Sequence, residues 1–245
     1  MLLLRFAALS LSVAAALKFQ YETLQIDDRP LFNKVNATEL ADIRARCGRS
    51  PFADSLASRG KRAFYARAAR ITDFPWTLWV YPHGCGGTFI SSRHIITAAH
   101  CVDDDAFKEI RGGERISVSY GGNCMGRPMK NSTVCTKRNM ISATGRAIAR
   151  DSRYPKDRTI KNYDFAIVEL TSDIPFSEKM LPACLPSKDD AFPNPLFHAG
   201  WGLTETNYTP DLRYVITAWR QDLSFNTTNI IATSTKYADE TARPG

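Results

Sequence analysis

The 245-residue chain contains no apolar run long enough to cross a bilayer as a helix, which takes about 20 residues. The longest, Phe6–Leu17, follows Arg5 and holds small residues at Ala14 and Ala16. That pattern reads as a secretory signal peptide over residues 1–16, and no membrane association is expected once it is removed. Lysine and arginine never run more than two together although the formal charge is +7, so no nucleic-acid partner is expected. Cys-x-x-Cys does not occur and the four histidines are scattered, so no metal is expected. No cofactor site is apparent either. Internal repeats and low-complexity segments are absent as well.

What is present is a globular composition, 44% hydrophobic and 23% charged, with material for one large β domain or two small ones. Six cysteines permit three disulfides in an oxidising compartment, and Asn-x-Ser/Thr sequons stand at Asn36, Asn131, Asn207 and Asn226. Both agree with export. Residues 17–62 form a polar, basic lead segment. Within it, "VNATELADIRARCG" predicts a helix with Leu40, Ile43 and Cys47 on one docking face and Gly48 as its stop. From about Phe74 the pattern turns to short runs, "TLWVY", "GTFIS", "HIITA", "RISVSY", "FAIVEL" and "LRYVITAW", punctuated by turn residues. The expectation is an all-β fold.

Chemistry concentrates in "CGGTFISSRHIITAAHCV". A disulfide between Cys85 and Cys101 would join two strands and fix the loop bearing His100. Gly86 and Gly87 suggest close backbone approach, and Ala98 and Ala99 leave room around the imidazole. Further along come "NYDFAIVEL" with Asp164, "ACLP" at 183–186 and "AGWG" at 199–202. Together with "DFPWTLWV" at 73–80, these motifs resemble the chymotrypsin/trypsin family of serine peptidases over roughly residues 60–220. The resemblance implies a double β-barrel, with His100 as general base and acid and Asp164 as its orienting carboxylate. Asp103, Asp151 and Asp173 lack the sequence context of Asp164. The long step between His100 and Asp164 is assigned to an insertion that a Cys124–Cys135 bond could close. By the same resemblance Cys47 bonds to Cys184, tethering the lead segment after cleavage between Arg62 and Ala63. The new end, Ala63-Phe64-Tyr65-Ala66, departs from the Ile-Val-Gly-Gly of the family.

The nucleophile is missing. Neither Gly-Asp-Ser-Gly-Gly nor Gly-x-Ser-x-Gly occurs in the sequence. Gly245 stands where the family's nucleophile motif would begin. The peptidase domain, residues 63–245, is therefore expected to be cut short at its C-terminus, with its second barrel incomplete. The resemblance implies a secreted endopeptidase made as a zymogen, acting on polypeptide substrates or held by a protein inhibitor. The alternative is a non-catalytic homologue that serves as a binding or regulatory module.

Overall fold

The computed structural model describes residues 32–52, 66–102, 116–126, 135, 137–154, 163–187, 190, 195–203, 208–219 and 233–234. The expected signal peptide, the Arg62-Ala63 cleavage point, Asp103 and the sequons at Asn131, Asn207 and Asn226 lie outside these residues. Among the described residues, the helix α1 (Ala37–Arg46) precedes ten strands. They are β1 (Arg67–Ala68), β2 (Thr77–Tyr81), β3 (Cys85–Phe89), β4 (His94–Thr97), β5 (Ser117–Tyr120) and β6 (Ile141–Arg150). The remainder are β7 (Ala166–Leu170), β8 (Leu196–Leu203), β9 (Tyr208–Trp219) and β10 (Thr233–Ser234).

Strands β2, β3, β4, β7, β6 and β5 close into a barrel in that order, every neighbour antiparallel. Alternation explains the closure. Leu78 and Val80 of β2, Val118 of β5 and Val168 of β7 turn inward and are wholly buried with Phe89 and Ile95. Of the two glycines in β3, only Gly87 is needed there. A Cβ on Gly87 would lie 2.7 Å from Leu78 Cδ1, whereas Gly86 faces open space. The expectation of close approach at both is thus corrected at Gly86.

The second sheet is built on β9, which pairs with β8 and also with β1 and β10. The all-β, two-part architecture of the trypsin-like fold is borne out. Its two halves are stitched together by the segment around Cys124, which is disulfide-bonded to Cys135. Leu212 N donates to Asn123 O at 2.8 Å, Met125 N to Pro210 O at 3.1 Å, and Trp201 Nε1 to Asn123 O at 3.1 Å. The segment assigned from sequence to a mere insertion is a seam between the halves.

The lead segment packs along both halves. Asn36 caps α1 by accepting from Glu39 N at 2.9 Å, and Glu39 returns the bond to Asn36 N at 2.8 Å. That amide, then Arg93, holds the Glu39 carboxyl below its ordinary pKa. The expected apolar docking face of α1 does not materialise. No residue of the helix is buried, and Leu40 is 40% exposed. Three other devices fix it instead: the capping box, the Arg93–Glu39 ion pair and the Cys47–Cys184 disulfide. Gly48, at φ +66, turns the chain out of the helix, and its N–H donates to Pro182 O at 2.9 Å.

Two contacts at the ends of this segment bury what would otherwise be costly or exposed. Glu169 shares the outward parity of Ile167 on β7, yet it has no exposed surface. Asn33 N at 3.1 Å and Arg146 Nη2 at 3.1 Å satisfy its oxygens, so the lead segment covers a paired carboxylate. Farther on, Phe52 enters an aromatic cluster of the second half, with ring centroids 4.9 Å from Phe74, 5.0 Å from Tyr214 and 5.4 Å from Phe197.

Removing the Phe52 ring is expected to cost about 2 kcal/mol in denaturant unfolding of Phe52→Ala, against within about 0.5 kcal/mol for Leu40→Ala. Equal losses would show that the anchor has been misassigned. A second expectation concerns His94, which is buried beside Ser91. The Ser91 hydroxyl accepts from Arg93 N and His94 N, so its own hydrogen goes to His94 Nδ1 at 2.8 Å. Burial, the largest influence, holds this imidazole below its ordinary pKa. The unfolded chain then takes up the proton first. Stability is full above about pH 6.5 and declines as pH falls below it. The thermal midpoint should drop between about pH 7 and about pH 5, and less steeply in His94→Gln. An unchanged slope in that variant would remove His94 as the cause.

Candidate active site

His100 lies in a 3₁₀ turn, Ala99–Val102, that follows β4 directly. Asp164 lies two residues ahead of β7. The pairing of β4 with β7 aligns Thr97 with Ala166, so both residues emerge at one rim of the barrel. There Asp164 accepts twice from His100: Oδ1 from the backbone N–H at 2.8 Å, and Oδ2 from Nδ1 at 2.7 Å. The second bond fixes the neutral tautomer with its proton on Nδ1. Nε2 is left with its lone pair directed outward. Its neighbours are Cys101 Sγ at 3.4 Å and Cys85 Sγ at 3.8 Å, and neither carries a proton because the two sulfurs are bonded to each other.

The histidine side chain is 53% exposed while the carboxylate is 20% exposed. A partly covered acceptor thus orients a base that remains open to a reacting group. The Cys85–Cys101 disulfide ties the start of β3 to this turn, and Thr97 Oγ1 donates to Gly86 O at 2.9 Å across the same strands. The Cys85, His100 and Cys101 donor atoms lie within 4.8 Å of one another, a spacing that suits a metal ion. Oxidised sulfurs offer no thiolate, so the group fits no metal.

Sequence reasoning missed how Asp164 is aimed. Tyr163 sits at φ +58, a left-handed conformation costing a bulky residue about 1 to 2 kcal/mol. Arg153 covers it, with the guanidinium carbon 4.0 Å from the ring centroid. Asp151 in turn fixes Arg153, accepting from Nε at 2.8 Å and Nη2 at 2.6 Å while almost wholly buried. The chain of contacts runs from Asp151 through Arg153 and Tyr163 to Asp164 and His100. Asp151 and Arg153 stand two apart in sequence, but nothing there shows that their target is the turn before β7. Asp173, for its part, pairs with Arg93.

A six-stranded barrel whose rim presents a carboxylate-oriented imidazole beside a disulfide, with a second antiparallel sheet alongside, agrees with the fold of trypsin-like serine peptidases. The sequence profile of the trypsin family matches residues 65–237, more than half of the chain, and the chain belongs to that family. It is similar to melanization protease 1 of Drosophila melanogaster, 26% identical over 197 residues that cover 74% of this chain and 46% of that protein. It is also similar to CLIP domain-containing serine protease B8 of Anopheles gambiae, 28% identical over 165 residues, or 59% of this chain and 40% of the relative. Proclotting enzyme of Tachypleus tridentatus is 28% identical over 157 residues, or 60% of this chain and 40% of the relative. The chain spans less than half the length of these relatives.

Substituting Asp164→Ala is expected to cost about 1 to 3 kcal/mol and to abolish the slowly exchanging Nδ1 proton of His100 in NMR spectra. Arg153→Ala leaves both bonding groups in place, so a broadened Nδ1 signal there would come from a loosened Tyr163. A sharp, unshifted signal would disconnect Arg153 from the pair.

Proposed function

We propose that the protein is a secreted serine endopeptidase of the trypsin family, made as a zymogen, in which His100 is the general base and acid. The observation that carries this reading is the 2.7 Å bond from His100 Nδ1 to Asp164 Oδ2 at the barrel rim. With Nδ1 committed, Nε2 takes the proton from an attacking serine hydroxyl and later delivers it to the leaving amine. Asp164 holds the ring in that tautomer and stabilises the imidazolium that forms. The 245 residues supply this half of the machinery, and no serine among them stands in a nucleophile motif.

Residues 1–16 are removed on secretion, and residues 17–62 form the propeptide. Cleavage between Arg62 and Ala63 exposes a new amino terminus while the Cys47–Cys184 bond keeps the lead segment attached. The substrate is polypeptide, as the names of the relatives suggest for those proteins. Among the described residues no helix is long and apolar enough to cross a membrane. A second reading, a homologue that binds polypeptides without cleaving them, is favoured by the lack of a nucleophile motif.

Fluorophosphonate labelling of the protein isolated from its source, with intact mass taken on the same sample, separates the two. The enzyme reading expects one serine adduct, reduced roughly 10³-fold or more when His100→Ala is made in the full coding sequence. The 245-residue chain itself is expected not to label. An unlabelled source protein that binds a polypeptide inhibitor saturably would overturn the enzyme in favour of the binding homologue.

A further inference from the structure

The sequon Asn36-Ala37-Thr38 lies within the described residues and plays no part in the chemistry of His100. Asn36 is the N-cap of α1, with an extended backbone at φ −81 and ψ 174. Asn36, Ala37 and Thr38 are all exposed, as is Lys34 before them. Contacts on either side pin this stretch to the barrel: Asn33 N donates to the buried Glu169, and Glu39 pairs with Arg93. The Asn36 side chain therefore stands at a fixed place on an open surface.

The hydrogen bonds around Asn36 divide its carboxamide. Its backbone N–H donates to Glu39 Oε2 at 2.8 Å, and its backbone carbonyl accepts from Leu40 N at 2.9 Å. Oδ1 accepts from Glu39 N at 2.9 Å. An amide nitrogen accepts no hydrogen bond, so the cap itself decides which end of the carboxamide faces the helix. Nδ2 is left over, and it donates to no protein group among the described residues. The oxygen is thus committed to α1 while the nitrogen stays available. A sequon asparagine needs that nitrogen, with open surface around it for a bulky, hydrated group. The middle residue is alanine and not proline, so the string is complete as an acceptor.

We infer that Asn36 carries an N-linked oligosaccharide on Nδ2 while Oδ1 goes on capping α1. The donor is an oligosaccharide held by a lipid pyrophosphate. Its anomeric carbon forms a bond to Nδ2, and the bond from that carbon to the pyrophosphate oxygen breaks. The lipid pyrophosphate leaves with the electron pair, and Nδ2 gives up one proton. Oδ1 remains an acceptor throughout, so the modification spares the cap. The inference rests on the reading of the chain as secreted, since such a donor is met on entry to the secretory pathway.

The test expresses the 245-residue chain in insect cells with its own leader, and in parallel with residues 1–16 replaced by a leader of proven cleavage. Peptide mass spectrometry of the secreted and endoplasmic-reticulum fractions, after peptide-N-glycanase in heavy-oxygen water, reads position 36 directly. Isotope-tagged aspartate is expected there, and is lost in both Thr38→Ala and Asn36→Gln. A cleaved leader with bare asparagine at position 36 overturns the inference. Modification under the replacement leader alone would uphold the site and overturn secretion by residues 1–16. The shared role has its own readout in limited proteolysis of the two unglycosylated variants. Trypsin should cut at the exposed Arg44 about fivefold faster in Asn36→Gln, which loses the cap, than in Thr38→Ala, which keeps it. Equal rates would overturn the role of Oδ1.

Discussion

The pairing of β4 with β7 is the constraint on which the site depends. His100 follows one of these strands and Asp164 precedes the other, so antiparallel register alone brings residues 64 apart in sequence to the same barrel rim. A slip of one residue would turn Ile95 and Val168 out of the core, and burial of both forbids it. The same hydrophobic pattern that closes the barrel therefore fixes the reach of the 2.7 Å bond. Electrostatics then refines what packing has located, through Asp151, Arg153 and the left-handed Tyr163.

The lead segment belongs to the folded body as much as the strands do. In the chain-entropy picture a cross-link over a separation of 137 residues stabilises by about 5 kcal/mol. Apolar burial by α1 itself contributes little. Contacts at the two ends of the segment supply the rest, Asn33 on Glu169 and Phe52 among the aromatic rings of the second half. A helix held at its cap, at one ion pair and at one disulfide needs no hydrophobic stripe, which is why Leu40 and Ile43 misled the reading of its docking face.

Strands with β-branched and aromatic alternation were legible from sequence, as "TLWVY" and "FAIVEL" show. β6, "ISATGRAIAR", was not, because alanine, glycine and arginine blur its alternation and a bulge between Gly145 and Ala147 breaks its period. His100 and Asp164 were legible because the strings around them are distinctive. Arg153 and Tyr163 were not, since a cation–π contact leaves no spacing rule in the chain. The seam at Asn123 and Leu212 stayed hidden for a similar reason, being made by backbone groups that every residue carries.

The burial of Glu169 gives the lead segment a further consequence. Beneath it lies an anionic oxygen pair that faces away from the barrel interior and has no exposed surface while the segment is in place. Starting the polypeptide at Ala63 would uncover that carboxylate and leave the pocket around Phe74 and Tyr214 without its plug, while Cys184 became an unpaired thiol. The shorter product would carry an uncovered carboxylate, an open aromatic pocket and a reactive sulfur that the longer chain keeps occupied.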